Sequence, residues 1–270
     1  MTHLESRLDH LTRLDDVARR PSPAVSLDPR AKVVATLAFV GVVASFGRHD
    51  LGRLAPLALF PVGLAVLGDV PWRPLLLRLA IASPFALGVA AFEPFLDHRP
   101  ALMLGPWVVS GGVLAFATIL AKFALTLGAA IVLVATTGFD EVCAALGRLA
   151  VPRALVSQLM LSFRYLFLLS AEASRMLRAH AMRAPNAPRP PWRIAGTMLG
   201  QLLLRAIDRA ERMHTAMRCR GFDGRLRVRR AWRWRRGDVF FAAATVVLLV
   251  VSRADDVPAR VGTMLLGAEP

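Results

Sequence analysis

The sequence predicts an all-α polytopic membrane protein, with about five transmembrane helices (four to six) and a pair of long cytoplasmic helices. Hydrophobic residues make up 55% of the 270-residue chain, whereas soluble domains average about 45–50% apolar residues. These residues are clustered into uncharged runs of about 15 to 30 residues, the length of membrane spans. The formal net charge of +15 belongs to one interior block. A water-soluble globule is therefore excluded.

The apolar runs predict five spans in chain order. The first includes the end of the segment LDPRAK, where Lys32 can snorkel and extend the short apolar stretch that follows. Pro84 lies inside the third, where neighbouring helices can satisfy the carbonyl that it frees. The fourth is about 30 residues long and is interpreted as one tilted span or a broken one. The predicted spans are 31–47, 51–69, 75–96, 107–138 and 238–252.

The charge distribution predicts the topology. Residues 141–237 contain 20 arginines and 5 acidic residues, while the rest of the chain contains 14 basic and 14 acidic residues. Basic segments beside spans stay on the cytoplasmic face. With four spans before the block, the N-terminus is also cytoplasmic and the C-terminus is outside. The first 30 residues have no apolar core of a secretory signal. The predicted organisation is a cytoplasmic N-terminal segment (1–30), four spans (31–138), a cytoplasmic or interfacial region (139–237), and a last span with its tail (238–270).

The basic block contains two long helical patterns, at about 152–184 and 192–220. Four prolines between positions 185 and 191 separate them, since proline stops a helix. The second ends at Gly221, a residue type that suits a left-handed C-cap. The two patterns therefore predict an αα hairpin.

The two helices end in similar sequences, RMLRAHAMRA from Arg175 and RMHTAMRCRG from Arg212. Each places an arginine, Arg183 or Arg220, at the end of its helix. The helix dipole favours a cation there by about 0.3–1 kcal/mol, which is one explanation. The other is that two equivalent arginines fit two equivalent sockets on a dimeric partner, because a guanidinium binds carboxylates in bidentate fashion.

Glu93 and Lys122 stand out among the ionisable residues of the predicted spans. A lysine at bilayer depth costs about 2.5–3.5 kcal/mol on insertion scales. Lys122 is therefore expected to face the bundle interior or a partner, with Glu93 as one candidate counter-charge. A structural pairing or snorkelling role and a role in transport or at an interface both remain open.

Four segments resemble one family, the transmembrane T component of energy-coupling-factor (ECF) transporters, in the cobalt-type branch called CbiQ. They are LDPRAK, SPFALGVAAFEPF, the run from Ala135 to Arg183 that contains GFDEVCAALGRLAVPRALVSQLMLSFRYL, and ERMHTAMRCRGFDG. The resemblance extends from about Leu27 to Gly224. The paired arginine motifs are its most specific part: the family has Ala-Arg-Gly-like triplets at the positions of Met182-Arg183-Ala184 and Cys219-Arg220-Gly221.

The resemblance implies a non-catalytic subunit of a multi-pass transporter in the bacterial inner membrane. Its expected partners are two ABC-type ATPase subunits and a membrane substrate-binding subunit, within the lipid bilayer. The two triplets would seat in grooves of the ATPases, which would bind the ATP and magnesium, while this chain binds no cofactor. The expected cargo is cobalt or nickel, and a vitamin-type substrate is the alternative.

Other chemistries receive little support from the residue pattern. No two of the six histidines have the close helical spacing of a metal site, the chain has no GxxxxGK[ST] phosphate-binding loop, and Cys143 and Cys219 suggest no disulfide framework. The basic block is flanked by apolar runs, so nucleic acid is not an expected partner. A basic scaffold that binds anionic lipid through residues 225–236 remains a second hypothesis.

Overall fold

The computed structural model describes residue 24 and residues 27–48, 50–96, 100–104, 107–149, 151–184, 190–224 and 236–254. The chain divides into two compact units. The described residues of 15–142 and 231–270 form one, called here the bundle unit. Those of 143–230 form the other, called the hairpin unit.

The described segments are almost entirely helical, which confirms the predicted fold class. A 3-10 turn at Pro56–Ala58 and two short strands complete them. The elements are α1 (Pro29–Ser45), α2 (Leu51–Leu54), α3 (Leu59–Leu67), α4 (Trp72–Ala90), α5 (Glu93–Leu96), β1 (Pro100–Leu104), β2 (Trp107–Ser110), α6 (Gly111–Thr137), α7 (Phe139–Leu146), α8 (Arg153–Arg183), α9 (Trp192–Cys219) and α10 (Arg236–Ala254).

Three of the described helices, α4, α6 and α8, are long and apolar enough to cross a membrane. The multi-pass character is thereby supported, while the total of five spans stays a prediction. The segment Leu51–Leu67 is also apolar, but it is too short to be counted with them. Helix α8 belongs to the region that the sequence assigned to the cytoplasm or the interface. Its charge is concentrated in its second half, where Glu172, Arg175, Arg178 and Arg183 lie.

The predicted fourth span begins too early. Residues Trp107–Ser110 form a strand that pairs antiparallel with Pro100–Leu104, with Leu104 opposite Trp107, and α6 starts only at Gly111. An uncharged apolar run is compatible with a strand as well as a helix, so hydrophobicity alone could not place this boundary.

Aromatic and aliphatic side chains from distant segments make up the core of the bundle unit. Phe39 of α1 stacks on Phe60 of α3 with ring centroids 4.6 Å apart, and Phe241 of α10 lies 6.3 Å from Phe60. Leu54, Leu57, Ala129 and Leu249 are buried in the same cluster. Burial of such side chains stabilises the unit by about 25 cal/mol per Å² of apolar surface removed from water.

Contacts between helix ends define the directions of α1, α6 and α10. Lys32 near the start of α1 meets Thr136 at the end of α6, and Phe46 at the end of α1 meets Lys122 of α6, so these helices are antiparallel. Asp28 at the start of α1 meets Asp238 at the start of α10, and Arg253 at the end of α10 lies 5.8 Å from the Phe46 ring. Helices α1 and α10 are therefore parallel, as the predicted topology requires of a first and a last span that are separated by three crossings.

Candidate functional site

The arginine motifs lie on the two long helices of the hairpin unit. Helix α8 begins after Pro152 and ends at Arg183, and α9 begins after Pro191 and ends at Cys219. Both bounds agree with the sequence prediction to within one residue. Proline suits the position before a helix because it has no amide hydrogen to leave unsatisfied.

The end of α9 is a complete Schellman motif. Gly221 has φ +76°, its amide donates to the Arg218 carbonyl, and the amide of Phe222 donates to the Met217 carbonyl, each at 3.0 Å. This pair of bonds satisfies two carbonyls that a helix end leaves open, and it needs a left-handed residue that glycine adopts at little cost. The sequence prediction for Gly221 is confirmed. Arg220 occupies the C-cap position and its side chain is exposed.

The end of α8 has a different geometry. Ala184 caps the helix with φ −131° and ψ 72°, and its amide donates to the His180 carbonyl at 2.9 Å. The next residues, 185–189, lie outside the described part of the chain. The two motifs are therefore similar in sequence but end by different backbone conformations.

Helices α8 and α9 pack antiparallel. The carboxylate of Glu172 accepts a hydrogen bond from Arg205 at 2.6 Å and another from Arg175, and the Tyr165 hydroxyl contacts the Met213 sulfur. Nearer the open end, the Ser157 hydroxyl donates to the Gly224 carbonyl at 3.2 Å. The two helices therefore run in opposite directions, and the predicted αα hairpin is confirmed.

This arrangement separates the two motif arginines. Arg183 lies 11 residues beyond Glu172, about 16 Å at 1.5 Å per residue, and Arg220 lies 15 residues beyond Arg205, about 22 Å in the opposite direction. Met182, Arg183, Cys219, Arg220 and Gly221 are exposed, and Ala184 is half-buried. Within the described part of the chain, neither guanidinium forms an ion pair.

A polar groove of about 470 Å³ lies between the helices on the Arg183 side. Its charged and polar lining includes Glu172, Arg175, His180, Arg183, Gln201 and Arg205. Hydrogen bonds from Arg175 and then Arg205 hold the pKa of Glu172 below its ordinary value. Since one carboxylate faces three arginines, the groove presents positive charge to a partner.

The hairpin also has exposed apolar surface. A second, apolar groove of about 230 Å³ is lined by Ala173, Met176, Leu177, Met198, Leu199 and Leu202. On α9, Leu199, Leu203 and Leu204 are 61–66% exposed, and the helix contains no buried residue. These exposed apolar residues are therefore available to lipid or to another protein.

The intramembrane residues have partners that the sequence did not indicate. The ammonium of Lys122 donates to the Phe46 carbonyl at 2.6 Å, and Glu93 instead pairs with Arg48, at 3.6 Å. The expected pairing of Lys122 with Glu93 is wrong. Phe46 is the C-cap of α1, where carbonyls lack helical partners, so Lys122 serves as a cap supplied by a neighbouring helix.

Lys32 likewise does not snorkel to the surface. Its side chain is buried, with 1% exposure, and its ammonium donates to the Thr136 carbonyl at 3.1 Å. Asp28 and Asp238 are also buried, and the Asp238 carboxylate accepts a hydrogen bond from the Asp28 amide at 2.6 Å. The sequence analysis did not identify these contacts. The available signal was that charged residues stand at the starts of the first and last predicted spans.

Among the described residues, no group of three or more His, Cys, Asp or Glu side chains is placed to hold a metal ion. His180 and His214 are on different helices of the hairpin unit, and His49 and His98 lie outside the described residues. Cys143 is buried and Cys219 exposed, and both are free thiols.

Comparison with known proteins agrees with these features. The family model for CbiQ, the cobalt transport protein, matches residues 21–232. The chain belongs to the CbiQ cobalt transport family. Membership of this CbiQ family agrees with the long apolar helices of the chain.

Three relatives are similar to this family member. The cobalt transport protein CbiQ of Rhodobacter capsulatus is 35% identical over 97 residues, which is 36% of this chain and 40% of that protein. The nickel permease LarQ of Lactiplantibacillus plantarum is 30% identical over 89 residues, 33% of each chain. An uncharacterized protein of Methanocaldococcus jannaschii is 24% identical over 213 residues, 75% of this chain and 72% of its own. The alignments with the two named transport proteins thus span less than half of each relative.

Proposed function

We propose that this chain is the energy-coupling transmembrane subunit of an ECF-type importer for cobalt or nickel ions. In this proposal two ATPase subunits bind and hydrolyse ATP, and Arg183 and Arg220 carry their motion into the membrane. A separate membrane subunit binds the metal ion. The proposed location of the protein is the inner membrane of a bacterium. The positive-inside rule places the basic hairpin unit on the cytoplasmic side of that membrane.

The position of the two arginines is the observation that carries the proposal. They lie at opposite ends of one hairpin, exposed, and without ion pairs in the described part of the chain. Two equivalent grooves on a two-fold symmetric ATPase pair are necessarily separated in space, so one contact at each end of a lever fits them better than two adjacent contacts. A planar guanidinium in such a groove binds carboxylates or backbone carbonyls with defined geometry.

Exposed apolar residues on both helices of the hairpin support a second contact, with the substrate-binding subunit. Leu199 and Leu203 on α9 and Leu155 and Leu166 on α8 are each about half or more exposed. Exposed apolar side chains lose contact with water when they pack against lipid or another protein. In this proposal these residues pack against the substrate subunit in or beneath the bilayer.

The substrate assignment rests on the names of the relatives. One is a cobalt transport protein and one a nickel permease, and both ions are small divalent cations. We propose that the metal is bound by the partner subunit, since no histidine or acidic cluster suited to it occurs among the described residues. A vitamin cargo is the alternative that the family resemblance leaves, and measured uptake of each cargo separates the two.

The first test is co-purification of the detergent-solubilised chain with its co-expressed ATPase subunits. The variant Arg183→Glu/Arg220→Glu is compared with Arg225→Glu/Arg227→Glu, which changes the net charge by the same amount in the same basic block. We expect the ATPase to be lost from the first variant and retained by the second, at equal amounts of the membrane chain.

Three other results would contradict the proposal. If both variants keep the ATPase, the motif arginines are not the contacts. If both lose it in a graded manner, charge alone matters, and a scaffold that binds anionic lipid becomes the better account. If the wild-type chain retains no ATPase, the coupling function itself fails.

A further inference from the structure

The C-terminus of α6 is followed by the segment that leads from the bundle unit to the hairpin unit. A residue of another helix donates a hydrogen bond to this C-terminus. The ammonium of Lys32 on α1 donates to the Thr136 carbonyl at 3.1 Å. This carbonyl is one of the last four of α6, which have no partner within their own helix. Because Lys32 is 1% exposed, the contact is sheltered from competing water.

Lys122 makes the same kind of contact at the other end of this helix pair. It lies on α6 and donates to the Phe46 carbonyl at the end of α1, at 2.6 Å. Lys32 and Phe46 are 14 residues apart, as are Lys122 and Thr136, so the two contacts are separated by about 21 Å along the helices. Each helix of the antiparallel pair therefore caps the other, once at each end.

The start of α1 is itself attached to a third helix. The Asp28 amide donates to Asp238 of α10 at 2.6 Å, and the Asp28 carboxylate accepts from the Arg30 amide at 2.9 Å. Asp28 and Asp238 are 5% and 1% exposed. The end of α6 is thus linked through Lys32 and Asp28 to the start of α10, and three helix termini of the bundle unit are joined by buried polar contacts.

The segment after Thr136 distinguishes this end of the helix pair from the other. Helix α6 stops at Gly138, whose φ of +81° favours glycine, and whose amide donates to the Val134 carbonyl at 2.8 Å. The hairpin unit begins five residues later, at position 143. The Lys122 end leads only to the short connection between α1 and α2.

We propose that Lys32 is a positioning residue for coupling: it fixes the end of α6 against α1, so that force arriving from the hairpin unit moves the bundle unit instead of fraying the last turn of α6. This rests on the proposed function. A helix end with open carbonyls is the part of a helix that frays most readily, and a lever transmits force only when its root is fixed. Lys122 caps the end of α1, which does not lead to the hairpin unit.

The two lysines therefore provide a matched experiment. Lys32→Met and Lys122→Met each replace a capping ammonium with an apolar side chain of similar length, within the same pair of helices. The full chain is purified with its ATPase and substrate subunits, reconstituted in vesicles, and supplied with cobalt(II) ions. Uptake and ATP hydrolysis are measured on the same preparation, normalised to assembled complex.

For Lys32→Met we expect uptake per ATP hydrolysed to fall by at least fivefold, with ATP hydrolysis within twofold of wild type. For Lys122→Met we expect less assembled complex but an unchanged ratio. Lys32→Arg, which keeps the donor and the charge, should restore most of the ratio. A residue that only stabilises the fold would change the amount of complex and leave the ratio of uptake to hydrolysis alone.

An equal ratio in Lys32→Met, Lys122→Met and wild type would overturn the proposal. If Lys32→Met does not accumulate, Asp238→Ala replaces it, because it removes the acceptor that holds the start of α1. A lowered ratio in that variant supports the proposal, and an unchanged one overturns it. Failure of the proposed function is seen separately, since then the wild-type complex hydrolyses ATP without uptake or does not assemble with an ATPase.

Discussion

Replacing Lys122 by methionine should destabilise the bundle unit even though it removes a charge from a predicted membrane span. A lysine at bilayer depth is costly by itself, so composition alone predicts that an apolar residue here stabilises the protein. The structure predicts the opposite, because the ammonium donates to the Phe46 carbonyl at 2.6 Å. Phe46 is the C-cap residue of α1, so its carbonyl has no amide partner within that helix.

The magnitude depends on the contacts that the substitution removes. A hydrogen bond involving a charged group contributes about 1.5–3 kcal/mol net, and a cation near a helix C-terminus adds about 0.3–1 kcal/mol. Methionine regains part of this by apolar packing. We expect the free energy of unfolding to fall by about 2 kcal/mol, and the Tm by about 4–8 °C at the 2–4 °C per kcal/mol typical of chains near this size.

The assay is thermal unfolding of the purified protein in detergent, for Lys122→Met, Glu93→Gln and the double variant. Glu93 pairs with Arg48, whose side chain is 73% exposed, and such pairs contribute about 0–1 kcal/mol. The two effects should add to within about 0.5 kcal/mol, as for independent sites. A coupling energy above about 1 kcal/mol, or recovery of stability in the double variant, would mean that Lys122 and Glu93 are partners after all and would refute this reasoning.

Three further predictions concern the backbone and the hairpin. Gly68→Ala should lower the free energy of unfolding by about 1–3 kcal/mol, because a Cβ there overlaps the Thr136 methyl group. Gly63→Ala, in the same segment, has open space around the added Cβ and should raise the free energy of unfolding by about 0.5–1 kcal/mol. Similar Tm values for the two variants would be inconsistent with this packing. Gly221→Ala should cost about 1–2 kcal/mol because of its φ of +76°, and the helical circular dichroism of the chain should decline at lower temperature than in wild type; an unchanged unfolding curve would argue against the Schellman motif. Glu172→Gln should lower the Tm slightly at neutral pH but not in acid. Because the pKa of Glu172 is lowered in the folded protein, the stabilisation by its carboxylate is present above the ordinary glutamate pKa and is lost as the pH falls through the lowered value. A Tm difference that persists in acid would exclude the carboxylate as its source.

The hairpin illustrates what sequence patterns predict well. Prolines and Gly221 placed α8 and α9 to within a residue at each end, because proline and glycine act locally on the backbone and need no distant partner. The same local chemistry identified Gly221 as the left-handed residue that ends α9. Family resemblance then singled out Arg183 and Arg220, although their separation at opposite ends of the hairpin depends on the antiparallel packing.

Local patterns were less informative where two structures satisfy the same composition. The uncharged run from Trp107 suits a strand and a helix equally in hydrophobicity, and the pairing with Pro100–Leu104 made its first four residues a strand. In the second span, the prolines and small residues around Pro56 divide one apolar run into two helices. Such boundaries depend on pairing and packing between segments, which a window of sequence does not contain.

The sequence by itself determined the helical class, the membrane character, the basic hairpin and the family, because hydrophobic runs, charge asymmetry and helix-stop residues are properties of short stretches. Only the tertiary structure decided the partners of the buried charges. The ammonium groups of Lys32 and Lys122 donate to the Thr136 and Phe46 carbonyls, which are backbone groups that no sequence pattern singles out. Every residue has a carbonyl, and which of them lacks a partner depends on where a helix ends and on which neighbour lies beside that end.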